Sequence, residues 1–287
     1  MTTHAVAPTR TDRGAPPKRR PVKKQRSQRS AWALDMLMLW GIRALIVVAM
    51  LGLWQFCSGR VFPVFIVSSP QLVFERFGDF MEGGQLLSDL SYTMRACLMG
   101  FAIGAVIGSS LGLAFGIFES VARTIRPFAA MLYSTPKIML APLIVVWFGV
   151  DLQMKVVISA FSCMWVIFYN VWNATRAIDR NLLDQFRLMG ANQRQIIAGL
   201  YFPSATTWLL TSLRVAFPIA LIGAVVGEFV ASNQGLGHLA LDSGHRFDTA
   251  GVLVAVLTIT FTAMLIDSLL TALQRKVALW QGEGERK

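Results

Sequence analysis

Charged residues are scarce in this sequence. Asp, Glu, Lys and Arg make up 15% of its 287 residues, against about 25% in a soluble domain. Hydrophobic residues make up 54%, and several apolar runs approach 20 residues, which excludes an ordinary soluble protein and indicates an integral membrane one. A G-x-x-x-x-G-K-[ST] phosphate loop is missing, so the chain cannot supply an ATP site. Cysteine is sparse. Cys57, Cys97 and Cys163 lie apart in apolar segments without metal-ligand spacing and read as packing residues. No Ser/His/Asp or Cys/His arrangement stands out, so no catalytic residue is assigned and the chain is not read as an enzyme. His238, Asp242 and His245 have a spacing that would allow a metal on one helical face. Beside several glycines they are read as exposed loop residues, and no metal is assigned.

Positive charge is present but unevenly placed. The formal net charge is +11, and residues 1–30 hold nine Lys/Arg and one Asp, so the other residues carry only +3. That segment, rich in Pro, Arg, Lys, Ser and Gln, is read as a disordered basic cytoplasmic tail. Its charge keeps this end inside. Contact with anionic lipid or nucleic acid is the alternative, and no nucleic-acid partner is assigned. No small-residue cleavage site follows the apolar run, so the tail is not a cleavable signal.

Six spans are expected, near 36–57, 94–117, 131–149, 156–174, 206–230 and 251–272. Arg43 lies where it can snorkel. Residues 58–92 form a hydrophilic segment in which Val73, Phe74 and Phe77 suggest a short amphipathic helix on the membrane. Span 2 carries Gly100, Gly104, Gly108, Gly112 and Gly116, a smooth stripe for helix packing. Residues 118–130 return the chain on the cytoplasmic side. Span 3 holds Pro136 and Pro142, which bend it. Asp151 to Lys155 is read as a tight external turn. With six spans, the inside segments hold 20 Lys/Arg and the outside segments four, Arg60, Arg76, Lys155 and Arg246. That imbalance puts both termini in the cytoplasm.

Residues 181–203 are the longest polar-rich interruption between residues 97 and 272, and read as two short helices with a turn between them. Asn181 is the expected N-cap, with Asp184 in the first turn. Leu182, Phe186 and Met189 share one face. Gly190 supplies a left-handed helix end. A second helix starts near Asn192, puts Ile196, Ile197, Leu200 and Tyr201 on one side, and is stopped or kinked by Pro203. The bracket has an apolar face its own chain does not use. Such a face suits a groove on another protein or a lipid surface, and the residues alone leave both open.

A buried ion needs a partner or a pathway. Arg214 and Asp267 fall at similar depth in spans 5 and 6 and are expected to pair. The alternative is that Arg214 attracts an anionic solute in a pore. Pro218 weakens span 5 at the carbonyl of Arg214. Glu228 lies about 21 Å further along and either lines an outer gate or caps the turn into residues 233–237. Arg214, Pro218, Glu228 and Asp267 are therefore the candidates for pore or gate.

The 181–203 segment resembles the coupling loop of ABC-importer permeases, whose pattern is E-A-A, three residues, Gly, nine residues, then I-x-L-P. Here stand Asp184-Gln185-Phe186, then Gly190, then Leu200-Tyr201-Phe202-Pro203. Gly and Pro keep the spacing, and of the E-A-A start only the acidic residue matches. From about residue 63 to 280 the chain is similar to the nitrate/sulfonate/taurine group. The similarity is carried by Ser69-Pro70, Ala141-Pro142-Leu143, Trp147-Phe148-Gly149, Leu188-Met189-Gly190-Ala191, Leu213-Arg214, Val226-Gly227-Glu228 and Gly235-Leu236-Gly237.

The resemblance implies an all-α integral membrane fold of about six transmembrane helices in a type I importer bundle. Its divisions are the tail 1–30, the first span and external segment 31–86, the permease core 87–276, and the C-terminal tail 277–287. It implies a homodimer in the bacterial inner membrane, and an external or periplasmic solute-binding protein. It also implies ABC ATPase subunits docked on Leu182, Asp184, Phe186, Met189, Gly190, Ala191 and Pro203. ATP and Mg then belong to the ATPase, and this chain binds no cofactor. The expected solute is a small anion such as an aliphatic sulfonate, taurine or nitrate. The alternatives are a vitamin precursor of pyrimidine or riboflavin type, or a secondary transporter working without ATP, for which internal repeats and midplane ion sites are not evident.

Overall fold

The computed structural model describes residues 26–280. The chain divides into two compact units, Met1–Leu53 and Trp54–Lys287, each taken by itself. The first unit contributes most of helix α1 (Arg26–Cys57), whose stretch Met38–Cys57 is long and apolar enough to cross a membrane. Residues 26–30, expected to be irregular, are its first turns. The remaining tail residues, 1–25, and the end of the C-terminal tail, 281–287, lie outside the described residues.

The second unit contains α2 (Val64–Val67), α3 (Pro70–Glu82), α4 (Gln85–Ile117), α5 (Glu119–Ser134), α6 (Ala141–Phe148) and α7 (Leu152–Arg176). It continues with α8 (Arg180–Leu188), α9 (Gln193–Ile196), α10 (Phe202–Val230), α11 (Leu236–His245) and α12 (Thr249–Trp280). Helices α4, α7, α10 and α12 each contain a segment able to span a membrane.

The expected third span is not one helix. Ser120–Ser134 and Lys137–Phe148 meet at a bend of 84° and are long and apolar enough to cross a membrane only if taken together. Pro136 explains the break: it pushes the residue before it out of the helical region, and Thr135 is extended. Pro142, expected to bend the same span, sits in the first turn of α6, where a missing N–H costs little. Residues 119–130, expected as a return segment, are helical through Pro127.

The glycine stripe decides how the bundle closes. Helices α4 and α7 run parallel and touch backbone to backbone. A Cβ on Gly100 would lie 2.7 Å from the carbonyl oxygen of Val156, one on Gly104 2.8 Å from Ala160, one on Gly108 2.5 Å from Met164 and one on Gly112 2.7 Å from Phe168. Gly116 would meet Thr175. Helix α10 lies antiparallel on the same α7, where Gly223 faces Ser159 and Ser162, and Ser159 Oγ donates to the carbonyl of Ala220 at 2.9 Å. Ala96, Cys97, Cys163, Ile167, Phe217 and Leu221 fill the seam. Cys97 and Cys163 are thus packing residues, and Cys57 is only partly buried.

At one end of this core, α3 packs through buried Val73 on Leu86, Leu236, Leu239 and Val254. Ser69 caps α3, its Oγ accepting from the Leu72 N–H at 3.3 Å. Phe74 faces outward, so the amphipathic helix turns its Val73 edge into protein. Arg76 ties α3 to the start of α12 through Asp248, at 2.6 Å. That hydrogen bond raises the Arg76 pKa above its already high ordinary value.

Candidate functional site

The bracket forms at the opposite end, between α7 and α10. Its first helix starts two residues earlier than expected. Asp179, not Asn181, is the N-cap, and its carboxylate accepts from the Asn181 N–H at 2.9 Å. Asp is as good a cap as Asn, and Arg180 and Asn181 fit the first turn. Gly190 ends the helix at φ +78°, the left-handed conformation that favours glycine. Asn192 opens the second helix with a reciprocal capping box: its Oδ1 accepts from Gln195 N at 2.9 Å, and Gln195 Oε1 accepts from Asn192 N at 2.8 Å.

Pro203 does not stop the chain. A π-helical turn over Ile197–Tyr201 absorbs one extra residue, and α10 follows with Pro203 in its first turn, where proline is tolerated. The bracket is therefore joined rigidly to a span. Its second helix is also less free than expected, because Ile196 and Leu200 are buried in their own chain. Phe186 folds back over Gly199, where a Cβ would meet its ring at 3.1 Å. The unpartnered apolar surface is thus the tip of the first helix. Leu188 is 88% exposed, Met189 74% and Leu182 40%. Asp184 is exposed and pairs with Arg187 at 3.4 Å. Ala191 donates its N–H to the Phe186 carbonyl and closes the turn.

The structure joins Arg214 and Asp267. Arg214 Nε donates to Asp267 Oδ1 at 2.9 Å and Nη2 to Oδ2 at 3.2 Å, a two-pronged contact between α10 and α12. Gln274 and Thr211 bond across the same helices at 3.0 Å. Pro218 lies inside α10, one turn further on.

Glu228 stands elsewhere, at the end opposite the bracket, and is 1% exposed. It accepts from Thr93 Oγ at 2.8 Å and from the Gly237 N–H at 2.7 Å. Thr93 Oγ in turn accepts from Leu236 N, and Asp89 Oδ1 accepts from Gly235 N at 2.8 Å. These acceptors hold the open N-terminus of α11, as the capping alternative requires. Gly237 leaves room for the carboxylate, since a Cβ there would sit 2.9 Å from Glu228 Oε2, and Gly235 is equally crowded by Glu228.

Sequence reasoning missed three members of this cluster. Lys155, expected in an external turn, is 1% exposed on α7, with Nζ donating to Tyr92 Oη at 3.3 Å and to the Val150 carbonyl. Asp89 and Thr93 were hidden because α4 begins at Gln85, inside the segment expected to be external. No local sequence signal marked them, because Asp89 lies 146 residues from the Gly235 N–H it accepts from. His238, Asp242 and His245 lie on α11 rather than in a loop. Asp242 pairs with Arg246 at 3.0 Å, and among the described residues no group of three His, Cys, Asp or Glu could hold a metal.

Residues 100–279 match the family described as binding-protein-dependent transport system inner membrane component. The chain is 25% identical over 247 residues to the putative aliphatic sulfonates transport permease protein SsuC of Bacillus subtilis, covering 86% of this chain and 90% of that one. It is 33% identical over 220 residues to the riboflavin transport system permease protein RibX of Chloroflexus aurantiacus, covering 77% and 82%. Among solved structures, an inward-facing MetNI methionine ABC transporter superposes with a TM-score of 0.59 at 21% identity, over 65% of this chain and 93% of that chain.

Proposed function

The chain belongs to the family of binding-protein-dependent transport system inner membrane components, and from that premise we propose how this permease is driven and what it carries. It is a multi-pass inner-membrane protein of an ABC importer. Both termini and the 181–203 bracket lie in the cytoplasm, in keeping with the excess of Lys and Arg on that side. Two copies form the pore. Separate ATPase subunits, which hold ATP and Mg, dock on the bracket, and a solute-binding protein delivers cargo at the opposite face, where α3 and α11 lie.

The observation that carries this proposal is the bracket's build. Two capped helices meet at left-handed Gly190 and expose Leu182, Leu188 and Met189. The π turn passes directly into α10, so force on the tip reaches the span that holds Arg214 and Pro218. An apolar helix tip of this kind fits a groove on a partner.

The solute we assign is a small anion of the sulfonate type, supported by the relative named for aliphatic sulfonates. The relative named for riboflavin supports a vitamin-type solute as the second reading. Reconstitution tests both. Vesicles holding this chain, its ATPase and its binding protein should accumulate an alkanesulfonate only when ATP is supplied on the bracket side. Accumulation without ATP would refute the importer mechanism. Accumulation of riboflavin but no sulfonate would refute the anion.

A further inference from the structure

At the bracket end, α4, α5, α7 and α8 line an open cavity of about 700 Å3 whose lining does not include the exposed tip residues Leu188 and Met189. Among the described residues, five arginines line it, Arg123, Arg126, Arg176, Arg180 and Arg187, with one carboxylate, Asp184. Asp184 is engaged by Arg187 at 3.4 Å. Arg126, Arg176 and Arg180 have no carboxylate within salt-bridge distance among the described residues. Arg176 lies instead over the ring of Trp172, at 5.8 Å. Cations gathered in one cavity repel one another unless an anion enters.

The cavity's depth indicates the kind of anion. Helix α4 ends at Ile117 and α7 at Arg176, so the cavity lies where two spans leave the hydrocarbon. Phe118, just before α5, and Val121 and Phe128 on it are all exposed and offer an apolar surface to an acyl chain. Basic pockets between spans on the cytoplasmic side suit phosphate headgroups, and the guanidinium fork matches phosphate oxygens. We propose that the cavity binds the phosphate of an anionic phospholipid from the adjoining leaflet, braced between α5, the end of α7 and α8. The assignment to the cytoplasmic leaflet rests on the orientation proposed above, whereas the binding itself does not. A lipid held by Arg180 touches the bracket's first helix directly and makes the bracket's position sensitive to membrane composition.

The test is native mass spectrometry of the full chain taken from phosphatidylcholine bilayers containing phosphatidylglycerol. The wild type should retain phosphatidylglycerol in preference to phosphatidylcholine. Each substitution among Arg126→Gln, Arg176→Gln and Arg180→Gln should weaken that retention about fivefold, the worth of one basic side chain beside an anionic lipid. Arg246→Gln, at the far end, should leave it unchanged. If Arg126→Gln or Arg176→Gln does not fold, Arg180→Gln alone, on an exposed surface, gives the reading. Retention unchanged in these variants overturns the proposal. Displacement of the lipid by inorganic phosphate assigns the site to free phosphate and also overturns it. Loss of ATPase co-purification with lipid retention intact makes the cavity a protein-docking surface, again against the proposal. A thiol at Arg180→Cys labelled from outside the cell would refute the orientation alone and leave the lipid result standing.

Discussion

Arg214 on α10 and Asp267 on α12 face each other through two hydrogen bonds, of 2.9 and 3.2 Å. Neither charge then stands alone in its span, and the pair is close to neutral. A solute anion approaching Arg214 must compete with a carboxylate already seated on the guanidinium. The geometry favours a strut between the two helices over an open anion site.

Removing one partner should therefore hurt more than removing both. Arg214→Gln and Asp267→Asn should each lower the yield of folded, inserted protein, because the survivor is a lone ion within a span. The double variant should recover much of that yield. Gel-filtration profiles in detergent read this out. A double variant worse than either single one would contradict the strut, and full assembly of Arg214→Gln with lost uptake would return Arg214 to the pore.

The glycine stripe makes a sharper prediction. In Gly108→Leu the new Cβ would lie 2.5 Å from the Met164 carbonyl, forcing α4 from α7. Overpacking of this kind costs about 1–3 kcal/mol or more. Gly78→Ala, on α3 with nothing within 4 Å of the added carbon, should be neutral or slightly stabilising. Thermal unfolding in detergent should separate the two variants by several degrees.

At the opposite end, Glu228→Ala should free α11. Two buried donors, Thr93 Oγ and Gly237 N, lose their acceptor. The cost should be about 3 kcal/mol. Glu228→Gln keeps one acceptor oxygen and should be milder. Hydrogen exchange at Leu236–Ala240 should quicken in the alanine variant, and unchanged protection there would contradict the cap.

Much of this was legible in the sequence because membrane physics writes loudly. Apolar runs place the spans, and glycines four apart mark a close helix contact. Asn192 and Gly190 outline the bracket, whereas Asp184, expected in the first turn, lies in the middle of α8 because Asp179 is the cap. What stayed hidden depends on tertiary partners. Pro136 and Pro142 look alike in sequence, but only Pro136 breaks the span, because Pro142 falls where a new helix begins. Pro203 looks like a stop, yet the π turn before it absorbs the register. Lys155 reads as a loop cation because its side-chain partner, Tyr92, is distant in sequence.

The bracket's role is tested most directly at its tip. Leu188→Asp with Met189→Asp puts two charges on the apolar surface without touching the N-caps Asp179 and Asn192, Gly190 or the buried Ile196 and Leu200. The chain should insert and fold as before, while its co-purification with the co-expressed ATPase falls by tenfold or more, about the loss of one or two buried apolar contacts at an interface. Co-purification unchanged in a folded double variant would contradict docking at this site.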